Sequence, residues 1–204
     1  MSVETAESKQ KAVELFRERG GTLRTSEALR LGIHPRTLYA LRDAGVLEQL
    51  SRGLYCLSEM PPLAHPDLVT VALRVPQAVI CLLSALAFHE LTTQIPHAVH
   101  IALESRAEAP RLDYPPLRVF WFSGPAWSEG IESHTLDGVS VRMYSPAKSV
   151  ADLFKYRNKI GVDVALEALR LYCRNAAFDV GQLLHYARVC RVENVIRPYL
   201  EAML

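Results

Sequence analysis

The chain has 204 residues and a formal net charge of +1, and both values limit what it can do. The length is sufficient for one or two domains with a sizeable core. Because the charge is nearly balanced, the chain is not a polycation, and any affinity for a polyanion would have to come from a local basic patch. The most apolar stretch, residues 68–91, is interrupted by Arg74, Pro76 and Gln77, so no membrane-spanning helix is expected.

The cysteines are widely spaced, and no two of them form a Cys-x-x-Cys pair. No secretory signal pattern follows Met1. We therefore expect reduced thiols in a cytoplasmic protein. The four residues are Cys56, Cys81, Cys173 and Cys190.

The first segments are typical of a small helical domain. Lys9–Arg19 is predicted to form a helix that ends at Gly20-Gly21. Thr22-Leu23 is predicted to be a short strand. Two further helices are predicted at Arg24–Leu31 and Pro35–Ala44.

The second and third helices have the pattern of a helix-turn-helix, which runs from Thr25 to Gly45. Ala28 is small where two helices must approach closely, and Gly32 follows in the turn, where a positive φ favours glycine. Pro35 is tolerated in the first turn of the third helix, where an N–H is not needed. The apolar positions that hold the motif together are Ile33, Leu38 and Leu41.

A short hairpin follows and completes a winged helix-turn-helix. Its strands are predicted at Leu47–Leu50 and Leu54–Leu57, around Ser51-Arg52-Gly53. A helix held in this way can present its N-terminal residues to the major groove of DNA. We predict a DNA-binding domain over residues 1–60, with the boundary in the proline-rich stretch Met60–Pro66.

Residues 61–204 are predicted to form a mixed domain, which makes the whole chain α+β. A small sheet is expected at about residues 98–144, including a hairpin that turns at Asp137-Gly138. A bundle of helices is expected at about residues 146–203. Its first helix is predicted to begin at Ser145-Pro146, an N-cap followed by a proline at the first helical position.

Three residues of the third helix are candidates for reading DNA. Arg36 lies on the outward face of the first turn and can make a bidentate contact with guanine. Thr37 and Tyr39 are suited to contacts with phosphate or with the methyl group of thymine. Tyr39 can equally be a half-buried packing residue.

Other residues of this region are candidates for contacts with the DNA backbone. Arg24, Thr25 and Ser26 open the second helix, where hydroxyls, N–H groups and a guanidinium can bind phosphate together. Arg52, at the tip of the wing, is suited to a backbone or minor-groove contact. Winged helices also serve as protein-binding modules, so the pattern leaves that alternative open.

Neither a metal site nor catalysis is predicted. His97 and His100 are three apart in or beside a predicted strand, which directs them to opposite faces, and His89-Glu90 has no evident partners. No nucleophile-elbow, zinc-protease or phosphate-loop motif occurs. The chain is therefore expected to be a non-enzyme without a cofactor.

One cluster leaves open a nucleic-acid-processing enzyme that uses the winged helix for targeting. Glu104, Asp152 and Lys155 are residue types that a nuclease site needs. The simpler interpretation is that Asp152 and Lys155 form an ion pair on one helix face.

The helix after Ser145 carries a run of cations. Lys148, Lys155 and Lys159 lie near one face, and Arg157 is close to them. Such a run is either a solvated face or a second electrostatic surface for nucleic acid.

Three segments together resemble the AbiEi-type antitoxin family of bacterial toxin–antitoxin systems. They are Gly20–Tyr55, Ser84–Leu103 and Ser145–Arg170. The last is the most specific, because a D-L-F-x-Y-R run leads into a G-x-D-V-A-L-E-A-L helix. Their order and spacing match the family through nearly the whole chain.

The resemblance implies a repressor and antitoxin of a type IV system. The winged helix is expected to bind double-stranded DNA at inverted repeats in the promoter of its own operon. The C-terminal domain is expected to counter a nucleotidyltransferase-like toxin without a stable complex. The alternative is a winged-helix regulator outside any toxin–antitoxin pair. The family's DNA contacts fall here on Arg36, Thr37, Tyr39 and Arg52, and its antitoxicity falls on Lys148, Lys155 and Arg157.

Overall fold

A computed structural model describes residues 2–60 and 63–204, so Pro61 and Pro62 of the predicted boundary lie outside the described residues. The chain divides into two compact units. One extends to Arg74 and includes Thr135–Ser140, and the other covers Val75–His134 and Val141–Leu204. The predicted functional division at residue 60 stays a prediction.

The first unit contains the winged helix-turn-helix and one further helix. Its strands form a three-stranded antiparallel sheet in the order β1-β3-β2, in which Leu23 lies opposite Tyr55 and Glu48 opposite Cys56. The elements are α1 (Ser2–Glu18), β1 (Thr22–Arg24), α2 (Thr25–Arg30), α3 (Pro35–Asp43), β2 (Leu47–Ser51), β3 (Leu54–Leu57) and α4 (Pro66–Arg74).

The helix-turn-helix forms for the reasons that its sequence predicts. Ala28 is fully buried, and Leu38 and Leu41 are buried with it in one apolar cluster. Gly32 has a φ of 85°, which confirms the predicted left-handed turn residue. The side chain of His34 caps α3 and accepts a hydrogen bond from the backbone N–H of Arg36 at 3.1 Å.

The second unit is a mixed sheet with helices packed on it. The strand order is β6-β5-β4-β8-β7, with β4 antiparallel to β5, and with β4–β8 and β5–β6 parallel. The elements are β4 (Val79–Ile80), α5 (Leu82–Phe88), β5 (Val99–Glu104), β6 (Leu117–Phe122), α6 (Pro125–Ser128), β7 (Ile131–Leu136), β8 (Val139–Tyr144), α7 (Pro146–Lys155), α8 (Arg157–Ile160), α9 (Val162–Cys173), α10 (Val180–Val189) and α11 (Glu193–Glu201).

Helix α7 is the central helix of this unit's core. Its N-cap is Ser145, whose hydroxyl accepts a hydrogen bond from the N–H of Lys148, and Pro146 follows as predicted. Val150, Leu153 and Phe154 are fully buried. The predicted α+β class is confirmed. Among the described residues, no helix combines the length and apolar character needed to cross a membrane.

Candidate nucleic-acid interface

The outward face of α3 is the first part of the candidate interface. Arg36 is exposed in the first turn, and its guanidinium has no hydrogen bond or ion pair with any residue that the structure describes. Tyr39 is 44% exposed, and Thr37 is partly exposed beside it. The predicted face is therefore presented to solvent, and the exposure of Tyr39 is compatible both with a DNA contact and with half-buried packing.

A cleft of about 500 Å³ separates α3 from the wing. It brings together three of the predicted DNA contacts: Thr25, Tyr39 and Arg52. The remaining lining residues are Arg42, Gln49, Gly53 and Tyr55. Polar, aromatic and cationic groups on one concave surface form a site suited to an anionic polymer with stacked bases.

Arg42 has a different role from Arg36, although both lie on α3. Its guanidinium donates to the Asp43 carboxylate at 2.7 Å and 2.9 Å, and its Cζ lies 5.2 Å from the centre of the Tyr39 ring. The hydrogen bond to Asp43 is the main cause that raises the pKa of Arg42. Arg42 is thus an internally paired cation that supports Tyr39.

The base of the wing carries a group of arginines. The N–H of Thr25 donates to the carbonyl of Gly53 at 2.9 Å, which joins the start of α2 to the wing turn. Arg74, at the end of α4, donates from Nη1 to the carbonyl of Arg52. Burial and, second, the charge of Arg74 lower the pKa of Arg24. Arg24, Arg52 and Arg74 therefore gather positive charge at the base of the wing, and Arg52 also lines the cleft.

Sequence reasoning missed Arg74. It lies in a helix that the predicted boundary assigns to the second domain, and only the folded chain brings it to Arg52. An arginine in the last turn of an amphipathic helix has many uses, so no local pattern could have identified it. Ser26 is exposed at the start of α2, as predicted, and its carbonyl accepts a hydrogen bond from Arg30 at 3.4 Å.

The prediction that Lys148 lies on an exposed basic face of α7 is wrong. Its side chain is 0% exposed, and its Nζ lies 2.6 Å from Oδ2 of Asp152, which is also 0% exposed. The α7 surface from Ala147 to Phe154 is buried, so a cation there must have an internal partner. The sequence favours an ion pair between Asp152 and Lys155. In the structure Asp152 pairs with Lys148 instead.

The buried pair belongs to a larger polar cluster. The Cys190 thiol donates to Oδ1 of Asp152 at 3.1 Å, and Lys148 Nζ lies 4.1 Å from the centre of the Tyr144 ring. Burial raises the pKa of Asp152, and the Lys148 ammonium opposes that rise. Burial also raises the pKa of Cys190. All four cysteines are free. The Asp152 carboxylate is fully buried, so it is not accessible to a substrate as the carboxylate of a nuclease site has to be.

The other two predicted antitoxicity residues are less buried than Lys148. Lys155 is exposed at the end of α7, with its Nζ 5.6 Å from the centre of the Phe122 ring. Arg157 is partly buried and donates from Nη1 to the carbonyl of Phe154 at 2.7 Å. Of the three predicted antitoxicity residues, Lys155 is the one in the exposed class.

The N-terminal region has relatives of known type. Residues 10–58 match the family described as "Transcriptional regulator, AbiEi antitoxin". In this region the chain is similar to AbiEi antitoxin regulators. The match spans the second half of α1, the helix-turn-helix and the wing, and it confirms the resemblance for this part of the chain.

The fold of the whole chain also has a solved counterpart. The crystal structure of the RV2827C protein from Mycobacterium tuberculosis superimposes with a TM-score of 0.57 at 11% identity, over 95% of this chain and 80% of that one. This likeness concerns the fold alone. No curated protein matches the sequence.

Proposed function

We propose that the chain is a DNA-binding transcriptional repressor and the antitoxin of a type IV toxin–antitoxin system. It represses its own operon through inverted repeats in the promoter, and it counters a nucleotidyltransferase-like toxin without forming a stable complex. It acts in the cytoplasm, without catalysis and without a cofactor for either role. The observation that carries the DNA-binding part is the exposed Arg36 on α3, whose guanidinium has no partner among the residues that the structure describes. Arg52 lines the nearby cleft between α3 and the wing.

In this proposal α3 lies in the major groove. Its first turn enters deepest, so Arg36 donates two hydrogen bonds to O6 and N7 of one guanine. Thr37 and Tyr39 contact phosphate or the methyl group of thymine on either side. Arg42 pairs with Asp43 and so neutralises the one carboxylate of α3. The guanidinium of Arg42 also lies against the Tyr39 ring and supports it.

The wing and the start of α2 hold the DNA backbone. Arg52 follows the phosphates or enters the adjacent minor groove, and Arg24, Thr25 and Ser26 bind phosphate at the start of α2, beside the wing turn. Arg74 adds a cation to this group and fixes the wing through the Arg52 carbonyl. These contacts determine where the duplex lies, whereas Arg36 reads its sequence.

The family match supports the antitoxin role. We assign this role to exposed cations of the second unit. Lys155 is the residue of the predicted three that can meet a partner or nucleic acid directly. Arg157 contributes the part of its side chain that remains exposed. Lys148 acts only through its buried pair with Asp152.

Two measurements test the proposal. The full chain should bind a duplex from its own promoter at least about 10³-fold more tightly than a shuffled duplex of the same composition. Equal binding to both would reject the repressor role and favour a protein-binding winged helix.

The second measurement uses cells that express the neighbouring toxin beside a promoter reporter. Lys155→Glu should weaken rescue and leave repression unchanged. Arg170→Glu is the matched control, because Arg170 is an exposed cation on α9, outside the basic run of residues 148–159. Full rescue by Lys155→Glu would remove the role of Lys155, and full rescue by a chain that cannot bind the promoter would separate the two functions.

A further inference from the structure

Three metal-ligating side chains meet in the second unit, away from the candidate DNA interface. They are His89, directly after α5, and Glu132 and His134 on β7. One potential ligand atom of each lies within 4.8 Å of the others. Glu132 and His134 are two residues apart on a strand, so they project from the same face. The sequence separates His89 from this pair, which explains why its partners were not evident.

The distances are close to those of a metal centre. Nε2 of His134 lies 3.2 Å from Oε2 of Glu132. Ligands bound to zinc at about 2.0–2.1 Å in a tetrahedron are about 3.3–3.4 Å apart. These two atoms therefore need to move little to share one ion.

The hydrogen bond of His89 leaves one of its ring nitrogens available to a metal ion. Its Nε2 lies 2.9 Å from the carbonyl oxygen of Tyr144. A carbonyl only accepts hydrogen bonds, so Nε2 of the neutral ring carries the proton and Nδ1 has the free lone pair. Metal-bound histidines commonly donate their second N–H to a carbonyl or carboxylate, which fixes both the tautomer and the ring.

The trio of His89, Glu132 and His134 is bounded by an aromatic ring and remains partly exposed to solvent. The Phe88 ring packs edge-on against His89 and His134, with ring centres 5.3 Å and 5.0 Å apart. The His89 and His134 rings are 5.7 Å apart. The side chains of His134 and Glu132 remain 27% and 45% exposed, so an ion can enter and keep a water ligand.

We propose that His89, Glu132 and His134 bind one divalent transition-metal ion, with zinc as the preferred ion and water in the fourth position. Two imidazoles and one carboxylate form a donor set that suits zinc, and they leave calcium and magnesium disfavoured because those ions prefer oxygen ligands. The ion joins the end of α5 to β7. This site is independent of the proposed DNA binding.

The test uses the full chain without a purification tag. Calorimetric titration with Zn²⁺ should give one saturable site. Titration with Co²⁺ should give the intense visible bands of a four-coordinate site without a thiolate charge-transfer band, because no cysteine belongs to the trio. Zn²⁺ should also raise the melting temperature of the wild type.

His134→Gln and Glu132→Gln should each weaken Zn²⁺ binding at least tenfold and abolish the increase in melting temperature. Both positions are partly exposed, so these variants keep the fold. The matched control is His185→Gln, which removes another histidine–carboxylate pair, His185 Nε2 to Glu129 Oε2 at 2.7 Å. Loss of binding in the trio variants with retention in the control supports the site. Unchanged binding in the trio variants, loss in the control, or no saturable binding by the wild type would overturn it.

Discussion

The two units use positive charge in opposite ways. In the first unit, Arg36 and Arg52 are exposed, Arg52 lines the cleft, and Arg36 has no partner among the described residues. In the second unit, Lys148 is fully buried and held by Asp152 at 2.6 Å. The same sequence signal, cations spaced along a helix, is a surface in one case and part of the core in the other. Burial of the helix face decides whether such cations have a surface role or a core role, and substitutions in the two units should differ accordingly.

The largest effect is expected from breaking the buried pair. Lys148→Ala leaves the Asp152 carboxylate buried without its cation and should lower the free energy of unfolding by about 3–5 kcal/mol. Asp152→Ala should do the same for Lys148. Replacing both with Met and Leu should cost much less, because no buried charge remains. Urea unfolding of the full chain, followed by circular dichroism, measures each change.

The control for this pair is Lys155→Ala on the same helix. Lys155 is exposed, so its loss should change stability by less than about 0.5 kcal/mol. If Lys148→Ala and Lys155→Ala were equally mild, the contrast between the units would be wrong.

The next effect concerns a buried histidine in the second unit. His100 is 4% exposed on β5, and burial, with a smaller contribution from Arg118, lowers its pKa to about 4. The unfolded chain therefore binds a proton near pH 6.5 that the folded chain rejects. Stability should be complete above that pH and should fall by up to about 3 kcal/mol as the pH decreases toward 4.

His100→Leu should remove that part of the pH dependence, whereas His97→Gln, at an exposed histidine, should retain it. The measurement is the free energy of unfolding at a series of pH values between 7 and about 4. A His100→Leu variant with the wild-type pH profile would show that His100 titrates normally in the folded state.

Base reading by the first unit is expected to have an intermediate effect. Arg36→Ala should weaken binding to the operator by about 1–3 kcal/mol and relax the preference at one base position. Stability should be unchanged, because the side chain is exposed. Gel-shift titration against operators with single base changes measures this. Arg19→Ala is the control, because Arg19 is exposed and lies outside both α3 and the wing. Equal losses in both variants would mean that Arg36 contributes charge alone.

The smallest effect is expected at Arg74. Arg74→Ala should weaken binding to all duplexes alike by about 1 kcal/mol and lower the salt slope by about one unit. Arg74→Lys should restore the slope but not the full affinity, because lysine lacks the planar fork that holds the Arg52 carbonyl. Binding isotherms at several salt concentrations measure this. A wild-type slope in Arg74→Ala would remove Arg74 from the interface.

The winged region could be predicted from sequence because its determinants are local. Ala28, Gly32 and Leu38 lie within one motif, and each has the burial or the backbone angle that its residue type predicts. The strand β4 is only two residues long, too short for periodicity to reveal, although it lies at the centre of its sheet.

The features that sequence reasoning missed depend on contacts distant along the chain. Arg74 reaches Arg52 only through the packing of α4. His89 meets His134 only because α5 and β7 belong to one unit. The burial of Lys148 follows from the helices and strands that cover α7, and the charge pattern of α7 alone cannot reveal them.

Footprinting of the DNA upstream of the protein's own gene tests the central claim most directly. The wild-type chain should protect two half-sites of an inverted repeat, with α3 of one copy on each. Arg36→Ala should lose that protection at concentrations where Arg19→Ala retains it. Absence of protection by the wild type, or protection spread evenly along the fragment, would contradict sequence-specific repression by this winged helix.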